Sequence, residues 1–263
     1  MPTLCCNGVE LHVERAGQGP RLLYCNGSGA TLASVPWLLN RLVKRFEVVA
    51  FDYRGMGASA PISEPYSMAA AAADVAGLLD QLGWERTAML GWSFGGMVAQ
   101  EFAVSFPERL EQLALLSTSP GGAFPSFRLD TLADLPAEQR AARSMQLMDR
   151  RWTGAWLAAH PAEAGLAKRM AGGERTALSE SQQRGWELQL QARKEHDVLD
   201  RLARITCPTF VANGCFDGIA PVANGEAIVS HLPQASLHIY GGGHAFFEQD
   251  ERAWPEVFAF LAG

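Results

Sequence analysis

Short apolar runs alternate with longer segments of helical spacing along most of the chain. The run at 47–51 is almost purely apolar, and comparable runs end at positions 25, 90, 116, 212 and 240. Strands that are apolar throughout are covered on both faces, and strands that alternate with helices form parallel sheets with right-handed crossovers. The pattern therefore predicts an α/β fold with a mostly parallel, twisted sheet flanked by helices.

The first two apolar segments indicate a different kind of pairing. The segments at 3–6 and 9–14 flank the dipeptide Asn7-Gly8. Asn-Gly is the strongest short signal for a tight turn between antiparallel strands. We therefore predict that a β-hairpin begins the sheet.

The alternation stops between 120 and 204, where helical segments rich in Ala, Arg, Gln and Glu replace the apolar runs. We predict an α/β core formed by 1–119 and 205–263, interrupted by a helical insertion at 120–204. Bulky apolar side chains at 145–156 recur at spacings of three and four, which indicates the apolar face of one helix, and a second helix carries a tryptophan. They dock the insertion on the core, line an apolar substrate pocket, or do both. The candidate pocket residues are Met145, Met148, Trp152, Trp156 and Trp186.

A sharp turn separates the apolar run that ends at Leu90 from the helical segment that begins near Met97. The turn reads Gly91-Trp92-Ser93-Phe94-Gly95-Gly96. The G-x-S-x-G spacing fits a turn so tight that the residues two before and two after the serine lack side chains. The serine hydroxyl is then held at the N-terminus of a helix, where a developing negative charge is favoured. Ser93 is the predicted nucleophile.

A serine hydroxyl needs a base to remove its proton, and His244 is the candidate. It follows three glycines after the last predicted strand, at the edge of the sheet where Ser93 is expected. The other five histidines fall on the hairpin, in the insertion, late in a helix or within a strand. They are His12, His160, His196, His231 and His238.

The candidate for the carboxylate that orients this base is Asp217, which follows the predicted strand at 208–212. Asp52 is the rival because it also ends a strand. It belongs, however, to a loop in which its carboxylate is expected to pair with Arg54 or to cap the turn. Asp217 also gives the chain order Ser, Asp, His that is used with this type of serine turn.

With these residues identified, the chain resembles the α/β-hydrolase-fold serine hydrolases over nearly its whole length. The resemblance implies that Ser93 is the nucleophile, His244 the general base and acid, and Asp217 the orienting acid. It also implies that the backbone N–H groups of Ser28 and Phe94 form the oxyanion hole. The insertion stands in the place of the helical lid of that family. The matching motifs are Gly91-Trp92-Ser93-Phe94-Gly95-Gly96, Asp52-Tyr53-Arg54-Gly55-Met56-Gly57-Ala58-Ser59, Gly214-Cys215-Phe216-Asp217 and Gly243-His244.

One motif departs from the family pattern, because the loop that commonly begins His-Gly begins Asn26-Gly27 here. A loop that begins with asparagine resembles the corresponding loop of 3-oxoadipate enol-lactonases and of some medium-chain polyhydroxyalkanoate depolymerases. The resemblance thus favours a small carboxylic ester or lactone as the substrate. The alternative is a non-hydrolytic member of the fold, either a lyase that uses His244 as a base or a small-molecule receptor.

Composition narrows the class of protein. With 263 residues, 48% hydrophobic and 19% charged, the chain fits a globular enzyme, and its net charge of −6 gives no basic surface for nucleic acid. The first residues lack the features of a signal peptide, and no apolar run is long enough to span a membrane. We therefore expect a cytoplasmic protein that acts on a small molecule, without nucleic-acid or membrane partners.

The cysteines and metal motifs give little further chemistry. Five cysteines form no C-x-x-C pair, and the odd count argues against a disulfide framework. Cys25 ends a strand beside a glycine-rich loop, so it is a possible nucleophile, although a buried thiol is the commoner reason for a cysteine there. Because H-E-x-x-H and Cys/His clusters are absent from the sequence, we expect neither a metal nor a cofactor.

Overall fold

The computed structural model describes residues 3–170 and 178–263, and its strands form one sheet. The spatial order of the strands is β1-β2-β4-β3-β5-β6-β7-β8. β2 is antiparallel to β1 and to β4, and the remaining neighbours are parallel, so the predicted mostly parallel sheet is confirmed. The strands are β1 (Thr3–Cys6), β2 (Val9–Ala16), β3 (Arg21–Cys25), β4 (Glu47–Phe51), β5 (Thr87–Trp92), β6 (Leu110–Leu116), β7 (Thr209–Gly214) and β8 (Ala235–Tyr240).

Helices follow most of the strands, and in the described residues four α-helices lie between β6 and β7. The helix at Met68–Leu82 has clear ends, because Ser67 caps its first turn and Gly83 ends it with a φ of 64°. The α-helices of the described residues are α1 (Pro36–Leu42), α2 (Met68–Leu82), α3 (Phe94–Ser105), α4 (Ala137–Met148), α5 (Gly154–Ala159), α6 (Pro161–Met170), α7 (Glu180–Lys194), α8 (Val222–His231) and α9 (Ala253–Ala262).

The predicted hairpin is present at the edge of the sheet. Thr3 pairs with His12 and Cys6 pairs with Val9 in antiparallel register. The turn between them has positive φ at both central residues, 50° at Asn7 and 76° at Gly8. Asparagine and glycine tolerate this left-handed conformation best, which explains why this dipeptide marks the turn.

Each face of the sheet has its own hydrophobic layer. Neighbouring strand residues point to opposite faces, so Val49 packs with α2 and α3, while Val48 packs with α1 and α9. Because both faces are covered, the central strands are apolar at successive positions rather than at alternate ones. The carboxyl ends of β3, β5, β6, β7 and β8 meet at one edge of this sandwich.

The apolar stretch at 145–156 is not one helix, so that prediction is wrong. α4 ends at Met148, and Asp149 is extended with φ −151° and ψ 120°. The Asp149 carboxylate accepts a hydrogen bond from the backbone N–H of Arg151 at 2.9 Å, a local bond that competes with helical hydrogen bonding. A new helix, α5, then follows Thr153, whose hydroxyl caps it by accepting from the backbone N–H of Trp156 at 3.2 Å.

Over 3–170 and 178–263, none of the helices combines the length and the apolar character that crossing a membrane requires.

Candidate active site

Ser93 occupies a strained turn between β5 and α3. Its φ of 56° and ψ of −115° lie outside the regions that L-amino acids usually adopt. The flanking glycines allow the turn, because a Cβ at Gly95 would lie 2.0 Å from the backbone oxygen of Cys25 and one at Gly91 would lie 2.5 Å from that of Gly95. The Ser93 backbone N–H donates to the oxygen of Leu116 at 2.9 Å, which ties the turn to β6.

His244 and Asp217 meet at the ends of β8 and β7. The Nδ1 of His244 lies 2.8 Å from Oδ2 of Asp217, and both side chains are almost fully buried. The other carboxylate oxygen accepts the backbone N–H groups of Ile219 and Ala220 at 2.7 and 2.9 Å. The carboxylate is thus held by its own loop and presents one oxygen to the imidazole. This bond makes Nδ1 the protonated nitrogen and leaves Nε2 free to accept a proton.

Gly214 lets the Asp217 and His244 loops approach each other. A Cβ at Gly214 would lie 2.1 Å from the backbone oxygen of Gly243, so any side chain there would separate the loops. Of the three glycines before His244, Gly243 allows close packing against the end of α4, because a Cβ there would lie 2.1 Å from the backbone oxygen of Met148.

The imidazole of His244 lies beside the Ser93 turn. Its ring centroid is 5.9 Å from that of Trp92, and the Trp92 Nε1–H donates to the backbone oxygen of His244 at 3.1 Å. Among the described residues, no hydrogen bond joins the Ser93 hydroxyl to the imidazole. Free enzymes often hold this contact loosely and tighten it with substrate. The structure brings His244 to Asp217 and to the neighbour of Ser93.

The loop that follows β3 lies over the serine turn. A Cβ at Gly27 would lie 3.7 Å from the Cβ of Ser93. Asn26 is buried, and its Oδ1 accepts from the hydroxyl of Tyr24 at 2.8 Å and from the Gly27 N–H at 2.9 Å. The Asn26 side chain therefore holds the backbone of this loop in position.

The two backbone N–H groups predicted for an oxyanion hole are those of Ser28 and Phe94. Neither donates to an acceptor within 3–170 and 178–263. Phe94 is the first residue of α3, where an N–H group has no partner in its own helix. Ser28 lies in the loop over the serine turn. Both groups thus retain a free hydrogen for an oxygen atom bound at this edge of the sheet.

Helix α7 packs directly on the same loop. The Gly29 backbone N–H donates to Oε1 of Gln189 at 2.7 Å. A Cβ at Gly29 would lie 2.7 Å from Cζ3 of Trp186, so the indole covers this glycine. Sequence reasoning missed Gln189, since a glutamine in a polar helix carries no signal of a contact 160 residues away.

The end of α4 contacts the histidine loop. The backbone N–H of His244 donates to the oxygen of Met148 at 2.6 Å, and that of Gly218 donates to the oxygen of Leu147 at 3.0 Å. The inserted helices are therefore bonded to the loops of both Asp217 and His244.

Four of the five candidate pocket residues belong to a cluster inside the insertion. Trp152 is 2% exposed, and its Nε1–H donates to Glu163 at 3.1 Å. Trp156 stacks on His160 with ring centroids 4.0 Å apart. Met145 and Met148 pack in the same cluster. Trp186 is separate from them, because it lies on α7 and packs on the loop after β3. Contact of any of the five residues with a substrate remains a prediction.

The rival residues have other roles. Cys25 is fully buried, and burial raises the pKa of its thiol to about 12, so it is not a thiolate at neutral pH. The carboxylate of Asp52 accepts the N–H groups of Leu32 and Ala58 at 2.8 and 3.0 Å, which confirms that it caps its turn. Of the two roles considered for Asp52, the structure has the cap and not the pairing with Arg54, because Arg54 forms a bidentate ion pair with Asp74, with its Nε 2.7 Å from Oδ2.

Within the described part of the chain, no group of three or more His, Cys, Asp or Glu side chains is arranged to hold a metal ion.

The sequence matches a known protein family over most of its length, and the fold matches solved structures. The model of the alpha/beta hydrolase fold family matches residues 20–251. The solved structure of the enol-lactonase from Burkholderia xenovorans LB400 superimposes with a TM-score of 0.81, covers 100% of both chains and is 22% identical. This likeness confirms the predicted fold.

Two curated relatives are similar in sequence. The 3-oxoadipate enol-lactonase 2 of Acinetobacter baylyi is 27% identical over 246 residues, covering 92% of this chain and 89% of the lactonase. The polyketide synthase ThaQ of Burkholderia thailandensis is 33% identical over 270 residues, which are 97% of this chain but only 12% of the synthase. This chain spans a small part of that relative. The family match and the superimposed fold together lead to one conclusion: the chain belongs to the alpha/beta hydrolase family.

Proposed function

We propose that this protein hydrolyses a small carboxylic ester or lactone through a Ser93, His244 and Asp217 triad and an acyl-enzyme intermediate. The observation that carries the proposal is the buried hydrogen bond of 2.8 Å between His244 and Asp217, placed beside the strained serine turn. The similarity to 3-oxoadipate enol-lactonases supports ester-bond hydrolysis. A receptor that only binds a small molecule would not require an imidazole oriented by a carboxylate next to the serine turn.

In the first step, Ser93 Oγ attacks the carbonyl carbon of the ester while Nε2 of His244 takes its proton. Asp217 keeps the other ring nitrogen protonated and stabilises the imidazolium that forms. The tetrahedral oxyanion is bound by the backbone N–H groups of Ser28 and Phe94. His244 then donates its proton to the leaving alcohol, which departs as the C–O bond breaks.

In the second step, water attacks the acyl group on Ser93. His244 accepts a proton from this water, and the same two N–H groups bind the second oxyanion. Collapse of the intermediate releases the carboxylic acid and returns the proton to Ser93. For a lactone, the leaving alcohol and the acid are parts of one molecule, so a single hydroxy acid or its tautomer is released.

We also propose that 120–204 acts as a helical lid on a core formed by 1–119 and 205–263. Its contacts support this role, since α7 binds the loop over Ser93 through Gln189 and α4 binds the loop of His244 through Met148. A lid in these positions encloses the substrate and excludes water from the reacting atoms.

A fluorophosphonate probe tests this proposal directly, since it reacts only with an activated serine. We expect labelling of one peptide that contains Ser93, together with turnover of p-nitrophenyl acetate, and loss of both in Ser93→Ala. The surface variant Ser63→Ala serves as the matched control, because Ser63 is exposed. Labelling elsewhere, or labelling that persists in Ser93→Ala, would refute the role of Ser93. Labelling without turnover of any ester would point to a lyase or receptor.

A further inference from the structure

Three hydrogen bonds hold the backbone around His244. The N–H of His244 donates to the oxygen of Met148 at 2.6 Å, and its oxygen accepts the indole N–H of Trp92 at 3.1 Å. The N–H of the preceding residue, Gly243, donates to Oε1 of Gln249 at 2.8 Å. Trp92 belongs to the serine turn and Met148 to the insertion, so the position of the histidine depends on both.

The side-chain amide of Gln249 has one orientation that satisfies its neighbours. Its Nε2 donates to Oδ2 of Asp149 at 2.8 Å and to Oε2 of Glu163 at 3.0 Å. An ionised carboxylate only accepts and a backbone N–H only donates, so exchanging the amide oxygen and nitrogen would break all of these bonds. Gly242 leaves room for the amide, since a Cβ there would lie 2.7 Å from Oε1 of Gln249. Gln249 therefore links the N–H of Gly243 to two acids of the insertion.

Asp149 is the more firmly bound of these two acids. Its carboxylate is fully buried, and four donors fill the four acceptor positions of its oxygens. Three of them belong to Arg151, whose backbone N–H, Nε and Nη2 lie 2.9, 3.0 and 2.6 Å from the oxygens. The fourth is Nε2 of Gln249. A carboxylate that a guanidinium binds through two nitrogens has a fixed geometry, so Gln249 is bonded to a fixed point of the insertion.

The segment 147–151, which joins α4 to α5, also contacts the loop of Asp217. The N–H of Arg150 donates to the oxygen of Phe216 at 2.9 Å. The Cζ of Arg151 lies 4.1 Å from the centroid of the Phe216 ring. The same short segment therefore contacts the loop of the predicted base and the loop of its orienting acid.

The break between α4 and α5 makes these contacts possible. In a continuous helix the oxygen of Met148 would accept the N–H of Trp152, four residues later. Here that N–H donates to the oxygen of Asp149 at 2.9 Å, and the oxygen of Met148 accepts the N–H of His244 instead. The end of α4 thus supplies an acceptor to the histidine loop.

We propose that Asp149 is a positioning residue for the reaction at Ser93. Through Gln249 it holds Gly243, and with it the imidazole of His244, beside the serine hydroxyl. Loss of this link displaces the base but leaves the hydroxyl in place, and a misplacement of about 1 Å can slow a reaction by about 100-fold. The inference rests on the proposed function, because Asp149 acts only through His244 as the base.

Two substitutions break the link from opposite ends. Asp149→Asn removes one acceptor of the Gln249 amide, and Gln249→Met removes the acceptor of the Gly243 N–H. We expect each to lower kcat for p-nitrophenyl acetate by about tenfold, with KM within about twofold of the wild-type value, because the base and not the substrate site is displaced. Rates are expressed per active site, counted by complete labelling with a fluorophosphonate, so that misfolded protein does not contribute. Asp134→Asn and Gln183→Met change exposed residues of the insertion and should keep the wild-type kcat.

The double variant shows whether Asp149 acts through Gln249. If it does, Asp149→Asn has little left to disturb in Gln249→Met, and kcat of the double variant also falls by about tenfold. Independent effects would multiply to about 100-fold and would overturn the inference. If Asp149→Asn does not fold, Gln249→Met decides alone, since it leaves the pair of Asp149 and Arg151 intact.

The rate constant of labelling by the fluorophosphonate is a second measurement that needs no ester turnover. It depends on the same base, so we expect it to fall in parallel with kcat in Gln249→Met. An unchanged kcat and labelling rate in this variant would overturn the inference while hydrolysis at Ser93 stands. A raised KM at unchanged kcat would overturn it as well, because Gln249 would then act on substrate binding.

The labelling rate also separates this inference from the proposed function. If the wild-type protein hydrolyses no ester but Gln249→Met is labelled about tenfold more slowly, the proposed hydrolysis fails and the positioning of His244 stands. A wild-type protein that is neither labelled nor active would refute both.

Discussion

Oε1 of Gln189 accepts a hydrogen bond of 2.7 Å from the backbone N–H of Gly29. Gln189 is fully buried on α7, and Gly29 belongs to the loop that lies over Ser93. The bond joins the inserted helices to the loop that carries the Ser28 N–H group. The position of one predicted oxyanion donor therefore depends on the insertion.

Gln189→Met tests that dependence. The substitution removes the acceptor and leaves the Gly29 N–H unpaired, so the loop loses a fixed position. We expect kcat for a small ester to fall by about tenfold, which corresponds to about 1.4 kcal/mol, with a smaller change in KM. Gln183→Met changes the same residue type on the exposed side of α7 and should keep the wild-type kcat. Equal rates for the two variants would contradict the role of Gln189.

Asn26→Ala examines the asparagine that replaces the usual histidine of this loop. The variant leaves the buried hydroxyl of Tyr24 and the N–H of Gly27 without their shared acceptor. We expect a loss of about 1–3 kcal/mol in the free energy of unfolding, measured in urea. Asn40→Ala, at an exposed position, is the control. A loss no larger than that of the control would show that Asn26 does not shape the loop.

The backbone strain at Ser93 has a measurable consequence for stability. Glycine tolerates a φ of 56° with a ψ of −115°, whereas alanine does not. Strain of this kind costs the alanine variant about 1–3 kcal/mol. Glycine avoids the strain but lowers stability by about 0.5–1 kcal/mol, because it gives the unfolded chain more conformational freedom. We therefore expect Ser93→Gly to be more stable than Ser93→Ala by about 1 kcal/mol. Greater stability of the alanine variant, the usual order in proteins, would show that the turn is not strained.

His196 makes stability depend on pH. Its pKa is about 3 in the folded protein and 6.5 in the unfolded chain, so the unfolded state binds a proton first as the pH falls. Its contribution to stability is complete above pH 6.5 and is lost towards pH 3, by about 1.4 kcal/mol per pH unit. Between pH 7.5 and pH 5, His196→Gln should therefore lose about 2 kcal/mol less than the wild-type protein in urea unfolding. Identical losses would mean that His196 is not buried as a neutral group.

Local sequence signals were sufficient to predict the sheet, the serine turn and the meeting of Asp217 with His244. Buried strands had to be apolar, the Asn7-Gly8 turn needs positive φ, and the serine turn needs glycines at 91 and 95. These requirements act within a few residues of the chain, so they are visible in sequence. They also place Asp217 and His244 after consecutive strands, where the fold brings them within hydrogen-bond distance.

The interior of the insertion was harder to predict, because distant contacts determine it. The spacing of Met145 to Trp156 suits one helix, but the side chain of Asp149 ends α4 by bonding to Arg151. The burial of Arg193 is likewise invisible in the sequence, since an arginine in a polar helix is normally exposed. The sequence left open whether Asp52 pairs with Arg54 or caps its turn, and the cap is found because α2 supplies Asp74 as the partner of Arg54.

The central claim is that Ser93 attacks the substrate with the help of His244 and Asp217. The most direct measurement is kcat for hydrolysis of one small ester by purified Ser93→Ala and Asp217→Asn, each checked for native circular dichroism. We predict a loss of about 10⁶-fold for Ser93→Ala and about 10⁴-fold for Asp217→Asn. Hydrolysis by Ser93→Ala at the wild-type rate would contradict the account.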